Sequence, residues 1–119
     1  MAGMETVKGG CHCGAVRFEA TADLSKSMEC NCSICEKKGF IFAFTPREAF
    51  KLAKGDDCLT EYRFNKKAVA HLFCKTCGVQ PFGYGATPDG REVAAINVRC
   101  VDGVDLGALT PHKFDGKSL

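Results

Sequence analysis

Nine cysteines stand in 119 residues, and seven of them fall into three tight groups: Cys11-His12-Cys13, Cys30-Asn31-Cys32-Ser33-Ile34-Cys35 and Cys74-Lys75-Thr76-Cys77. Zn²⁺ takes four ligands in a tetrahedron, and a C-x-C or C-x-x-C element lets two thiolates from one turn reach the same ion. Two such elements far apart in sequence make one closed site. Cys11 and Cys13 with Cys74 and Cys77 fit that description, and each pair is followed at once by a glycine, Gly14 or Gly78. A glycine there permits a tight turn whose N–H groups point at the sulfurs. Four thiolates leave no open position, so this zinc is of the structural kind and staples the first strand to a hairpin far along the chain.

The middle group differs. Cys30, Cys32 and Cys35 offer three thiolates within six residues and no fourth cysteine beside them. Three protein ligands with an exchangeable fourth position is the pattern of a catalytic zinc. The competing reading closes the site with Cys58, Cys100, His71 or Glu36; the open site is preferred. Cys58 and Cys100 otherwise read as small buried hydrophobes. His12, between two ligands on an extended segment, points away from the metal its neighbours share. His71 follows the strand periodicity of Phe73 and reads as a packed, hydrogen-bonded histidine. The stripe Phe40, Phe42, Phe44 reads as core, with Gly39 and Phe40 close enough to line the mouth of the second cysteine group.

These groups need a scaffold, and its composition is that of one domain spanning 1–119, with 45% hydrophobic and 25% charged residues. The longest apolar run, Phe40 to Phe44, falls far short of the ~20 residues of a membrane helix, so no membrane partner is expected. The N-terminus has no apolar h-region, and Ala2 stands where myristoylation needs glycine. A reducing, cytoplasmic setting is expected, where an odd number of clustered thiols points to metal rather than disulfides. If seven cysteines ligate two Zn²⁺, seven thiolates subtract seven from the formal charge of +2 and the ions add four, leaving −1. Basic residues are scattered without a long run, so charge makes no case for a nucleic-acid partner.

Residues Cys13 to Ala20 alternate, with Val16, Phe18 and Ala20 on one face, as in a half-buried strand. Phe40 to Phe44 is apolar throughout and predicts a strand covered on both faces. Thr45-Pro46-Arg47-Glu48 carries a capping-box pattern for a short helical turn. Leu59 to Phe64 and Ala68 to Phe73 predict a hairpin joined by Asn65-Lys66-Lys67. Phe82 to Gly85 and Glu92 to Val98 predict further strands around a Pro88-Asp89-Gly90 turn, and the tail holds at most a helical turn near Val104 to Leu109. The fold class is mainly β, with no long helix.

Gly10-Cys11-His12-Cys13-Gly14-Ala15-Val16-Arg17-Phe18, then Cys30-Asn31-Cys32-Ser33-Ile34-Cys35, then Phe73-Cys74-Lys75-Thr76-Cys77-Gly78 resemble, in this order, the glutathione-dependent formaldehyde-activating enzyme family, which also contains centromere protein V. The resemblance runs from about Val7 to the Phe114-Asp115-Gly116 segment. It implies a tent-like β fold similar to Rab-exchange accessory proteins and methionine sulfoxide reductase B. It also implies a structural zinc on Cys11, Cys13, Cys74 and Cys77, and a second zinc on Cys30, Cys32 and Cys35. The implied activity is a carbon–sulfur lyase reaction run in reverse, from formaldehyde and glutathione to S-hydroxymethylglutathione, with a small-molecule thiol as partner. The second motif of the family often reads Cys-His-Cys, and here Asn31 holds the central place. Zinc on three thiolates would lower the pKa of a bound thiol and polarise a carbonyl, with Cys30, Cys32 and Cys35 as the catalytic set. Lys37 and Lys38, just beyond the last ligand, could attract the carboxylates of a glutathione-like substrate. The rival readings are a non-catalytic zinc module that binds a protein or nucleic acid, and a redox or metal-buffering role for exposed thiolates.

Overall fold

The computed structural model describes residues 4–30, 33–63, 70–87 and 89–114. In chain order its elements are β1 (Glu5–Gly10), β2 (Arg17–Ala22), β3 (Met28–Cys30), α1 (Ser33–Lys38), β4 (Phe42–Pro46), β5 (Phe50–Lys54), β6 (Leu59–Tyr62), β7 (Ala70–Cys74), β8 (Phe82–Ala86), β9 (Glu92–Asn97) and β10 (His112–Phe114), with short 3₁₀ turns between them. The fold is mainly β. Strands β1, β2 and β5 make a three-stranded sheet, and the order β10-β3-β4-β9-β8-β7-β6 makes a seven-stranded one. All pairings are antiparallel except β10 with β3. None of the described helices is long and apolar enough to cross a membrane.

The period-2 alternation of the strands decides what each face carries. Along β2, Phe18, Ala20 and Ala22 are buried while Arg17, Glu19 and Thr21 are not. They meet Phe82, Ala94 and Ile96 from the inner face of the larger sheet in one apolar cluster. At its centre three rings touch: Phe18 stacks on Phe50 with centroids 5.6 Å apart, and Phe82 lies 4.7 Å from Phe50 and 6.3 Å, edge-on, from Phe18. Such pairs add about 0.5–1.5 kcal/mol each beyond the area they bury. Register then puts Phe44, Ala95, Gly83, His71 and Tyr62 side by side in one row on the opposite, outer face.

That alternation corrects the reading of the phenylalanine stripe. Strand β4 buries Ala43 and Thr45, whereas Phe44 is 50% exposed and Phe42 only half-buried. The two rings pack edge-on against each other at 5.2 Å on the outer face instead of entering the core. An apolar run is covered on both faces only where a layer lies on each, and the three-stranded sheet covers one. The helical turn after Pro46 forms at Arg47–Ala49, but no side chain caps it. Thr45 is a strand residue whose hydroxyl donates to the Thr21 carbonyl at 2.6 Å, so the capping box does not form. The hairpin of β6 and β7 pairs as expected from Leu59 with Cys74 to Tyr62 with His71, and its Asn65-Lys66-Lys67 turn lies outside the described residues. The tail makes the expected helical turn at Leu106–Ala108, then returns as β10.

Candidate metal centre

Two six-residue loops of the same design bring the first and third cysteine groups together. After β1, the Cys11 N–H donates to the Val16 carbonyl at 3.1 Å, and Gly14, at φ 82°, donates to the Cys11 carbonyl at 3.4 Å. After β7, the Cys74 N–H donates to the Val79 carbonyl at 2.9 Å, and Gly78, at φ 81°, donates to the Cys74 carbonyl at 2.7 Å. Left-handed backbone is what an L side chain resists and glycine accepts, which is why a glycine follows each cysteine pair. The loops are held from outside as well. Lys75 N–H donates to the Cys58 carbonyl at 2.8 Å, and Gly55, at φ 99°, sits so close that a Cβ would lie 2.3 Å from the Ala15 carbonyl oxygen.

The result is four sulfurs, of Cys11, Cys13, Cys74 and Cys77, all within 4.8 Å of one another. Cys11 and Cys13 are 3.6 Å apart, and Cys13 and Cys74 3.7 Å. Zn–S bonds of about 2.3 Å in a tetrahedron put the sulfurs about 3.8 Å apart, so the cluster has the size of a four-thiolate site. Cys11 and Cys74 are buried, Cys77 is half-buried and Cys13 is exposed. The cluster therefore caps one edge of the core.

Backbone N–H groups aim at these sulfurs, as a thiolate needs. Val16 N–H reaches Cys11 Sγ at 3.3 Å and Thr76 N–H reaches Cys74 Sγ at 3.4 Å. The Val79 N–H, and then that of Cys13, hold the Cys77 thiol down at about 6. The Cys77 N–H, and then that of Thr76, lower Cys74. At Cys13 the Ala15 N–H also lowers, but desolvation and the three neighbouring thiols outweigh it and push the thiol up to about 11. Four thiols this close cannot all ionise without a cation between them, so the donor set is complementary to a divalent metal.

The other site residues are distributed as follows. His12 is exposed and outside the four-sulfur cluster. Cys58 and Cys100 are half-buried and pack against the main core cluster, which contains Cys11 and Cys74. Burial raises Cys58, with Asp57 adding to it, and burial pushes Cys100 up to about 11, with Cys11 and Cys77 next in effect. Cys30 ends β3, two residues after the Met28 that pairs with Phe42. Cys35 and Glu36 lie in α1. Cys32 and Asn31 fall outside the described residues, as do the side chains of Cys30, Cys35 and Glu36.

His71 is buried and hydrogen-bonded, as its strand periodicity suggests: its Nδ1 lies 3.4 Å from Gln80 Nε2. Burial first, and the Lys38 charge second, hold its pKa below the usual imidazole value. Lys38 is not a free surface charge, because its Nζ donates to Gln80 Oε1 at 2.8 Å and lies 5.6 and 5.5 Å from the Phe40 and Phe73 ring centres. Gln80 is the polar residue that sequence reasoning missed. Its signal was weak: a glutamine between Val79 and Pro81 gains meaning only from a lysine 42 residues earlier in the chain.

The family model described as glutathione-dependent formaldehyde-activating enzyme matches residues 6–114, a span that includes all three cysteine groups. Among solved structures, the crystal structure of a Rhodobacter sphaeroides protein is similar at 30% sequence identity and a TM-score of 0.79, covering 89% of this chain and 97% of that one. With the match running over nearly the whole described fold, the chain belongs to the glutathione-dependent formaldehyde-activating enzyme family.

Proposed function

We propose that the protein is a zinc-dependent, carbon–sulfur lyase-like enzyme of the cytoplasm, one domain over 1–119, acting on adducts of glutathione and formaldehyde. The observation that carries this reading is the family match over residues 6–114. The four-thiol cluster on loops of both sheets, with the spacing of a closed zinc site, supports one structural ion on Cys11, Cys13, Cys74 and Cys77. A second zinc on Cys30, Cys32 and Cys35 is the working one. Zinc held by these three thiols would acidify a thiol or polarise a carbonyl. In the reaction the sulfur of glutathione adds to the carbonyl carbon of formaldehyde. A carbon–sulfur bond forms, the carbonyl π bond breaks, and the thiol proton ends on the new hydroxyl oxygen.

This chain's own residues have the following tasks. Cys30 ends β3 and Cys35 lies in the short α1, five positions further along the chain. Lys37, exposed in the last turn of α1, offers a cation for a glutathione carboxylate, while Lys38 is occupied by Gln80 and two rings. The test is the zinc-to-chain ratio by elemental mass spectrometry with and without glutathione, together with formaldehyde consumption followed by NMR. Two zincs, one labile to glutathione, and a rate lost in Cys32→Ser support the reading. One zinc indifferent to glutathione, with no rate above the uncatalysed reaction, would replace it with a non-catalytic zinc module.

A further inference from the structure

Four polar residues are buried among those described, and two of them, His71 at 8% and Gln80 at 7% exposure, touch each other. Burying a polar side chain costs free energy unless its partners are in place. Here they are, and they arrive from three elements: Lys38 from the end of α1, Gln80 from the β7–β8 connection and His71 from β7. The amide of Gln80 lies over Gly83, where a Cβ would be 3.5 Å from Nε2 and 2.8 Å from the Ala70 carbonyl. Its backbone is pinned by Asn97, whose Nδ2 donates to the Gln80 carbonyl at 2.8 Å.

The direction of this chain is set by chemistry. An ammonium has donors and no acceptor, so Lys38 requires the oxygen of the Gln80 amide. The NH₂ group must then face His71, and it can only donate. Nδ1 of His71 is therefore the acceptor, without a proton, and the neutral ring carries its hydrogen on Nε2. The ammonium lies within cation–π distance of both the Phe40 and the Phe73 ring, which adds to the hold on α1.

We infer that Gln80 is a positioning residue. Bridging Lys38 and His71, it fastens α1, the helix that contains Cys35, to the outer face of the larger sheet and fixes which nitrogen of His71 is protonated. Its bearing on catalysis rests on the proposed role of Cys30, Cys32 and Cys35; the bridge itself does not.

Long-range ¹H–¹⁵N NMR of the zinc-loaded protein at pH 7.5 should show His71 in the Nε2–H form. A ring protonated at Nδ1 would overturn the inference. Gln80→Glu still accepts from Lys38 but has no donor for His71, so the His71 pKa should rise by at least one unit while the fold is kept. An unchanged pKa would sink the bridge. In Gln80→Leu the amide exchange of Lys37 and Lys38 should quicken at least tenfold, with the four-thiol zinc retained. Exchange as slow as in the parent protein would remove the positioning role, and should that variant not fold, Gln80→Glu and the tautomer still decide. A parent protein with a single zinc would end the proposed catalysis yet leave these NMR outcomes to judge the bridge.

Discussion

The two faces of the seven-stranded sheet are built from alternate residues of the same strands, yet they hold opposite kinds of chemistry. The inner face presents Phe82, Ala94 and Ile96 at 0–1% exposure and ends in Cys74, wholly buried and part of the four-thiol cluster. The outer face presents Phe44 and Tyr62 about half exposed, and between them the buried pair His71 and Gln80, tied to α1 by Lys38. Inside, the fold has gathered four thiols that could hold one metal ion, and an ion bound there would add to stability. Outside, polar groups are buried at a cost that packing alone does not require, beside the helix that contains Cys35. The comparison teaches that one sheet divides its chemistry by face: apolar packing that ends in a gathered thiol set on the inner side, and a polar bridge to α1 on the outer.

Substitutions test that division. The largest effect is expected for Cys74→Ser, which removes the most buried ligand of the four. Structural zinc contributes about 10–16 kcal/mol in small zinc domains, comparable to the ~5–15 kcal/mol that a whole domain has. The variant should lose its cooperative thermal transition in circular dichroism and its tightly held zinc; a folded, fully zinc-loaded Cys74→Ser would break the comparison. Phe82→Ala comes next, at about 3–5 kcal/mol by chemical denaturation, because it opens a cavity where three rings meet. His71 gives a smaller effect that depends on pH. Its folded pKa lies below the unfolded value, so the unfolded chain takes up a proton first, and this residue's contribution falls as pH drops below ~6.5. The stability difference between pH 7.5 and 5.5 should shrink in His71→Gln relative to the parent, and an identical difference would show that His71 is not buried neutral. Phe44→Ala should change stability by no more than about 0.5–1 kcal/mol, since the ring loses one edge-on partner and half its surface is already in water. Cys32→Ser should leave the melting temperature in place and cost one zinc, and a loss of fold there would assign the second group to the core.

Much of the inner face was legible before any coordinates. The C-x-C and C-x-x-C spacings with their following glycines fix the local turns, because the positive φ at Gly14 and Gly78 is a property of those few residues. The alternation of Val16, Phe18 and Ala20 fixes a buried stripe for the same reason. The outer face was read less well. The run from Phe40 to Phe44 says only that a strand is apolar, and whether a second layer covers it depends on segments distant in sequence. Strands β1, β3, β5 and β10 went unread: β3 and β10 are three residues each and pair across the length of the chain, β1 has one buried apolar side chain before two glycines, and β5 pairs with β2 far back in the sequence.

The sequence by itself determined the ligand chemistry, the local loops and the mainly β class, since these follow from spacing and periodicity over a few residues. Only the tertiary structure decided that the four sulfurs of Cys11, Cys13, Cys74 and Cys77 lie within 4.8 Å, that the phenylalanines of β4 face outward, and that Lys38, Gln80 and His71 form one chain. Each of those facts is a meeting of residues tens of positions apart or a matter of which layer covers which face, and sheet packing alone sets both.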